Sequence, residues 1–189
     1  AGQALLQSGI VQASQLELHG NAMENTGSIT SGSLKVDNFS TFSGNSGTIS
    51  STQLSITGEQ ETGTLDQSPS FDASGQGNQF GEVTLTGSIN QLSLRSGSDL
   101  TVGESVSVDD PEPVDEHSIL SAQLIDLRVD NGDLTTNILF EPVDSTVDNS
   151  LLLAAENNLV LATELDSYTH ARKILYGRNL SAGEFAETE

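Results

Sequence analysis

Aliphatic residues return at a fixed spacing along the first part of the chain. Val11, Ile29 and Ile49 are each followed by aliphatics five and seven residues later: Leu16 and Leu18, Leu34 and Val36, Leu54 and Ile56. Small and polar residues fill the positions between, and each group opens on a small-residue turn, as in SGIVQASQLEL, TGSITSGSLKV and SGTISSTQLSI. The unit recurs every 18 to 20 residues. Successive side chains of a strand point to opposite faces, so the two aliphatics that close each unit share one face. A period in this range, rich in β-branched and small residues and short of helix formers, predicts stacked coils that bury their inner sides against one another. The expected fold class is all-β: a single-stranded parallel β-helix, or β-solenoid.

Beyond residue 58 the pattern loosens and then recovers. TGTLDQSPSFDAS keeps the turn and Leu65, but Pro69 removes a ladder donor and Phe71 and Ala73 arrive one place late, which predicts a bulged coil. SGQGNQFGE, residues 74–82, reads as a Gly-rich loop. Alternation returns at Val83, Leu85, Ile89, Leu92, Leu94, Leu100 and Val102, enough for two further coils. Residues 1–102 are therefore expected to be solenoid coils. Their expected core is Val11, Leu16, Leu18, Ile29, Leu34, Val36, Ile49, Leu54, Ile56, Val83, Leu85, Ile89, Leu92 and Leu94.

Residues 103–118, GESVSVDDPEPVDEHS, break the pattern with two prolines and six acids, and read as an acidic loop or linker inserted between two strand-rich blocks. Further coils are expected over 119–165. ILSAQLIDLRV alternates, Asn131-Gly132 supplies a turn, NILFEPV gives a strand ending at Pro142, and two apolar runs flank Glu156-Asn157-Asn158. Leu151 to Glu156 also fits the start of a helix. Residues 166–189 change character, because three of the six cations fall between Arg172 and Arg178. Leu165, Tyr168, Arg172 and Tyr176 fit one helical face behind a Ser167 cap, so a short capping helix or a flexible tail is expected there. A helix in that place would cover the open end of a stack.

Composition agrees with a solenoid. At 189 residues the chain has room for roughly nine coils of about 20 residues. Aromatics make up 4%, which suits a stack of aliphatic ladders better than a single compact core. Cysteine is absent, so no disulfide staple or thiolate zinc site is available. No stretch reaches the roughly 18 apolar residues of a membrane span, and AGQALLQSG lacks the charged and apolar blocks of a signal peptide. Either a targeting segment has been removed or the chain is an excised piece of something longer, and the coil pattern already in register at residue 8 favours excision as the expectation.

Charge then narrows the partners. The 27 acidic and 6 basic residues give −21, and Lys35 is the only basic residue before Arg95. Nucleic acid is not expected as a partner and anionic lipid is disfavoured, because phosphate and anionic headgroups call for clustered Lys and Arg. Without an apolar span, direct membrane insertion is not expected either. The excess acid suits solubility, or a surface that meets other anions through divalent cations. In the inserted loop, Asp109, Asp110, Glu112, Asp115 and Glu116 are oxygen ligands of the kind calcium takes. Prolines flank them and no liganding spacing emerges, so a solvated excursion is expected, with calcium binding as its alternative. No other cofactor is expected.

Catalytic chemistry finds little support. A lyase needs a basic Arg or Lys beside acidic groups, yet the first two thirds of the chain holds only Lys35, Arg95 and Arg128. An inverting hydrolase needs paired carboxylates about 6.5 to 9.5 Å apart on a rigid face. Asp109 and Asp110 sit in the proline-rich loop, and Asp130-Asn131-Gly132-Asp133, close to Asp126, is an ordinary turn sequence. His19, His117 and His170 are far apart, and His19 reads as a surface residue after a strand. The expectation is a non-enzyme, with a polysaccharide-active β-helix enzyme as the lesser alternative.

The coils SGIVQASQLEL, TGSITSGSLKV and SGTISSTQLSI resemble the repeats of filamentous haemagglutinin-like exoproteins of two-partner secretion systems, including contact-dependent inhibition exoproteins. LLLAAENNLVLATELDSYTHARK is similar to a later repeat class of those proteins. Together they cover about half of the chain. The Pro-rich acidic insertion departs from the repeat, and neither a transport-signal domain nor a toxin motif is evident. The resemblance implies a right-handed parallel β-helix at the cell surface, forming an extracellular stalk that presents an adhesive or toxic tip. Its implied partners are adjacent segments or other copies of the exported protein and a cell-surface glycan or protein receptor. A self-assembling surface-layer, appendage or phage-fibre subunit is the alternative, with residues 166–189 as the joint between subunits.

Overall fold

The computed structural model describes residues 4–58, 69–103, 119–142, 148–161 and 168–182, with Ile119 described by its backbone alone. Among these residues there are strands and no helix, and the strands form two sheets. The first sheet runs β1 (Ala4–Gln7), β3 (Ala22–Asn25), β5 (Thr41–Ser43), β7 (Ser70–Ala73), β9 (Ile89–Ser96), β11 (Ile119–Val129), β14 (Ser150–Ala155) and β16 (Arg172–Tyr176), with β13 (Leu139–Glu141) also paired to β11. The second runs β2 (Ile10–His19), β4 (Ser28–Asp37), β6 (Thr48–Thr57), β8 (Gln79–Thr86), β10 (Leu100–Val102), β12 (Leu134–Thr136), β15 (Asn158–Leu161) and β17 (Asn179–Ala182). All the pairings are parallel, and the chain alternates between the sheets except at β13 and β14, which follow one another along β11 in the first sheet. Neighbours in one sheet are thus joined through a strand of the other, an arrangement consistent with a parallel β-helix.

Strand register turns the sequence repeat into ladders. Val11, Ile29 and Ile49 are aligned across β2, β4 and β6. Leu16, Leu34, Leu54 and Val83 form a second ladder, and Leu18, Val36, Ile56 and Leu85 a third. Ile29, Leu34, Val36, Ile49, Leu54, Ile56, Val83, Ile89, Leu92 and Leu94 are buried. Val11, Leu16, Leu18 and Leu85 are partly buried against this core. The first three lie on β2, which ends its sheet, and β10 pairs with Glu82 and Val83 of β8 without reaching Leu85.

The first sheet supplies a ladder of its own: Leu5, Met23, Phe42, Phe71, Leu92, Ile125 and Leu151. Phe42 and Phe71 stack with centroids 4.4 Å apart, and Phe39 meets Phe71 edge-on at 5.9 Å. Short strands such as β5 bring few inner side chains, so large rings fill the space that aliphatics fill elsewhere.

The small-residue turns have a steric reason. A Cβ on Gly27 would lie 2.1 Å from the Gly9 carbonyl oxygen, and one on Gly47 would lie 2.4 Å from that of Gly27. Corners of successive coils stack backbone on backbone, with Ser28 N–H donating to Gly9 O (2.8 Å) and Thr48 N–H to Gly27 O (2.9 Å). Any side chain there would separate the coils. Asn25 fills the same corner from inside, accepting from Gly27 N–H at 3.2 Å and donating to Thr48 O at 3.2 Å.

Three expectations are corrected. The Gly-rich stretch 74–82 is a loop only as far as Asn78, because β8 begins at Gln79 and buries Phe80. Leu151 to Ala155 belong to strand β14 and start no helix. Tyr168 to Tyr176 carry no capping helix: Tyr168 is buried beside Phe140, and Arg172–Tyr176 extend the first sheet as β16, paired with β14. Lys173 and Leu175 align with Leu151 and Leu153, and the extended form prevails over the helical spacing because it also pairs the edge of β14, which a helix here would leave open. Residues 104–118 lie outside the described residues, while β9 and β10 on one side pair directly with β11 and β12 on the other.

Candidate functional site

With the inner ladders mostly apolar, the outer faces carry most of the charged groups of the described residues. On the second sheet, Glu17 is aligned with Lys35 and His19 with Asp37 across β2 and β4. Asp37 is nearly buried and accepts from the His19 ring and, at 3.0 Å, from Lys35 Nζ. Glu17 lies 3.4 Å from the other His19 nitrogen. The hydrogen bond to Asp37 raises the His19 pKa above its ordinary value and does the same for Lys35. Burial pushes the Asp37 carboxyl up, but the hydrogen bonds from Lys35 and His19 outweigh it and leave its pKa lowered. This cluster ties coils together as a charge network.

Carboxylates considered for catalysis are engaged in comparable ties. Arg128 grips Asp126 through both oxygens at 2.7 and 2.8 Å. Arg95 holds Asp130 at 2.9 and 3.0 Å. Asp133 accepts from the backbone and side-chain amides of Asn158 at 3.1 and 2.9 Å. Register explains the pairs, since Arg95 and Arg128 are adjacent on β9 and β11 and need counter-charges between them. The proposed calcium ligands Asp109, Asp110, Glu112, Asp115 and Glu116, and His117, lie outside the described residues. Among the described residues no group of three or more His, Asp or Glu is placed to hold a metal ion.

His170, read from the sequence as part of a polar tail, is 2% exposed. Its Nε2 lies 2.8 Å from the Ala122 carbonyl oxygen, while its Nδ1 is buried without a hydrogen-bond partner. Burial lowers its pKa, the Ala122 carbonyl opposes that shift, and the charge of Lys173 adds to it. A polar residue between two acidic and basic stretches gave no signal of burial, because its cover comes from β11, some fifty residues earlier in the chain.

A groove of about 260 Å³ opens over β9, β11, β14 and β16. Polar side chains from Gln91, Ser93, Asp126 and Arg172 line it together with the aliphatic Leu124 and Ile174. Register creates it: Gln91, Leu124, Ser150 and Arg172 form one row, and Ser93, Asp126, Leu152 and Ile174 the next. No helix of the described residues is long and apolar enough to cross a membrane. Comparison with known protein families, curated proteins and solved structures gives no match.

Proposed function

We propose that this chain is a non-catalytic segment of an extracellular stalk, its two sheets forming the walls of a closed, right-handed parallel β-helix that holds an adhesive or toxic tip away from a cell surface. The carrying observation is the unbroken parallel pairing of both sheets from β1 to β16 and from β2 to β17. Strands joined through a crossover to a parallel neighbour are right-handed in nearly all folds, which supports that hand here. Each added coil lengthens such a rod by about 4.8 Å, so reach grows simply by repetition. Outer faces rich in Ser, Thr, Asn and Gln suit a solvated shaft, and the net charge of −21 keeps neighbouring shafts apart.

Antibodies raised against the folded chain test the reading on cells that express the protein. Labelling of intact cells, removed by external protease, is the expected result. Labelling that requires permeabilisation overturns it. A second reading, a subunit that stacks end to end, is favoured by the exposed Leu5, Leu6 and Ile10 on β1 and β2 and the exposed Tyr176 and Leu180 on β16 and β17. Under that reading sedimentation shows concentration-dependent polymers, which Leu6→Asp or Leu180→Asp disperses.

A further inference from the structure

The outward rows of the first sheet change character along the stack. One row passes through Ser43, Asp72, Ser93 and Asp126 and then becomes Leu152 and Ile174. The change coincides with the cations, since five of the six basic residues of the chain come after position 90. Four of these five are occupied. Arg95, Arg128 and Arg178 bind Asp130, Asp126 and Glu156, and Lys173 Nζ donates to the Tyr168 carbonyl at 2.6 Å. Lys35, the sixth cation, is bound to Asp37. Arg172 alone makes neither an ion pair nor a side-chain hydrogen bond among the described residues, and it lies in the wall of the groove.

Three kinds of group therefore converge in one small space. Arg172 offers a free planar fork of donors, which matches a carboxylate through two parallel bonds. Asp126, its orientation held by Arg128, keeps lone pairs free to accept from hydroxyls, and Gln91, Ser93 and Ser150 both donate and accept. Leu124 and Ile174, 37% and 50% exposed, provide an aliphatic wall for a C–H face. The groove is slightly below the roughly 300–1,000 Å³ of sites for drug-sized ligands, so it suits a small molecule or one residue of a chain.

We propose that this groove binds a polyhydroxylated carboxylate, with the acid on Arg172 and the hydroxyls on Asp126 and its neutral neighbours. Two sources share that chemistry: a free sugar acid and a uronic acid residue within a polysaccharide. The site stands on the first sheet alone and does not depend on the stalk reading.

Calorimetric titration of the whole chain with galacturonate, its methyl ester, galactose and trigalacturonate tests it. Galacturonate binds, and the ester and galactose bind at least about tenfold more weakly, because a charge-assisted pair is lost. Arg172→Gln, with an unchanged melting temperature, shows the same loss for the acid, and Arg172→Lys an intermediate one. A trimer that binds more tightly than the monomer identifies a polysaccharide as the source, and equal affinities identify the free acid. The proposal is overturned if no acid binds at millimolar concentration, if ester and acid bind alike, or if Arg172→Gln binds the acid as the parent does.

Discussion

The two halves of the stack are built on opposite walls. From β2 to β6 the long strands, each of 10 residues, lie in the second sheet, and their partners β3 and β5 have 4 and 3. From β11 onward the broad wall is the first sheet, with 11 residues in β11, while β12 has 3 and β15 has 4. The coils between them, β8 and β9, have 8 residues each and make the exchange. Large rings sit at the short strands in both halves: Phe42 and Phe71 on β5 and β7 with Phe39 beside them, and Phe140 on the three-residue β13, paired with the broad β11, beside Tyr168. Inner volume has to be filled whichever wall supplies the strands, so a short strand calls for a bulky side chain. The outer faces diverge more, polar in the first half and partly aliphatic and cationic in the second.

The contrast between inner ladder and outer row gives the largest effect. Ile49→Asp places a charge where the parent residue is 0% exposed, at a cost of several kcal/mol or more, and thermal melting should show the amino-terminal coils unfolded. Ile174→Asp, at a position 50% exposed, should change stability by no more than about 0.5 kcal/mol. Similar melting curves for the two variants would contradict the assignment of inner and outer faces.

Ring filling of the narrow wall comes next. Phe71→Ala should cost ~3–5 kcal/mol, because it leaves a void among Phe39, Phe42 and the neighbouring ladders. Phe71→Leu, which keeps most of the volume, should cost less than about 1.5 kcal/mol in denaturant unfolding. If the two substitutions cost the same, the stacking geometry matters more than the volume.

The smallest effect separates the two histidines by sign. Burial lowers the His170 pKa, so its neutral form stabilises the fold fully above the unfolded value of 6.5, and that contribution is lost as pH falls through the lower folded value. His19 is the reverse. Its raised pKa, held up by Asp37, gives stability that is present below 6.5 and lost as pH rises through the folded value. Hydrogen exchange should therefore show β16 losing protection on acidification below pH 6.5 while β2 and β4 lose it on alkalinisation above that value. His170→Asn should remove the first response and leave the second, and a common response of both regions would show that neither histidine controls it.

Much of the fold was legible because its signals are local and repeated. The spacing of Val11, Ile29 and Ile49 and their followers follows from one rule, that the chain returns to a parallel neighbour in register after a nearly fixed number of residues. The glycines at the corners obey the same rule. Met23 and Phe42 carried no such signal, since strands of three or four residues hold too few positions for a period to show. The groove was not legible either. Gln91, Asp126, Ser150 and Arg172 are scattered along the sequence, and only strand register sets them side by side.

By itself, the sequence determined that this chain is all-β, that its periodic aliphatics form ladders across parallel strands, and that its surface is acidic, because alternation, corner size and charge are properties of neighbouring residues. Tertiary structure alone decided that Arg172 to Tyr176 continue the first sheet, that His170 is buried under β11, and that the Arg172 guanidinium lies in the wall of a groove without an ion pair among the described residues. Those outcomes depend on which strand lies beside which, and pairing between distant segments is set by the summed burial and hydrogen bonding of the whole stack.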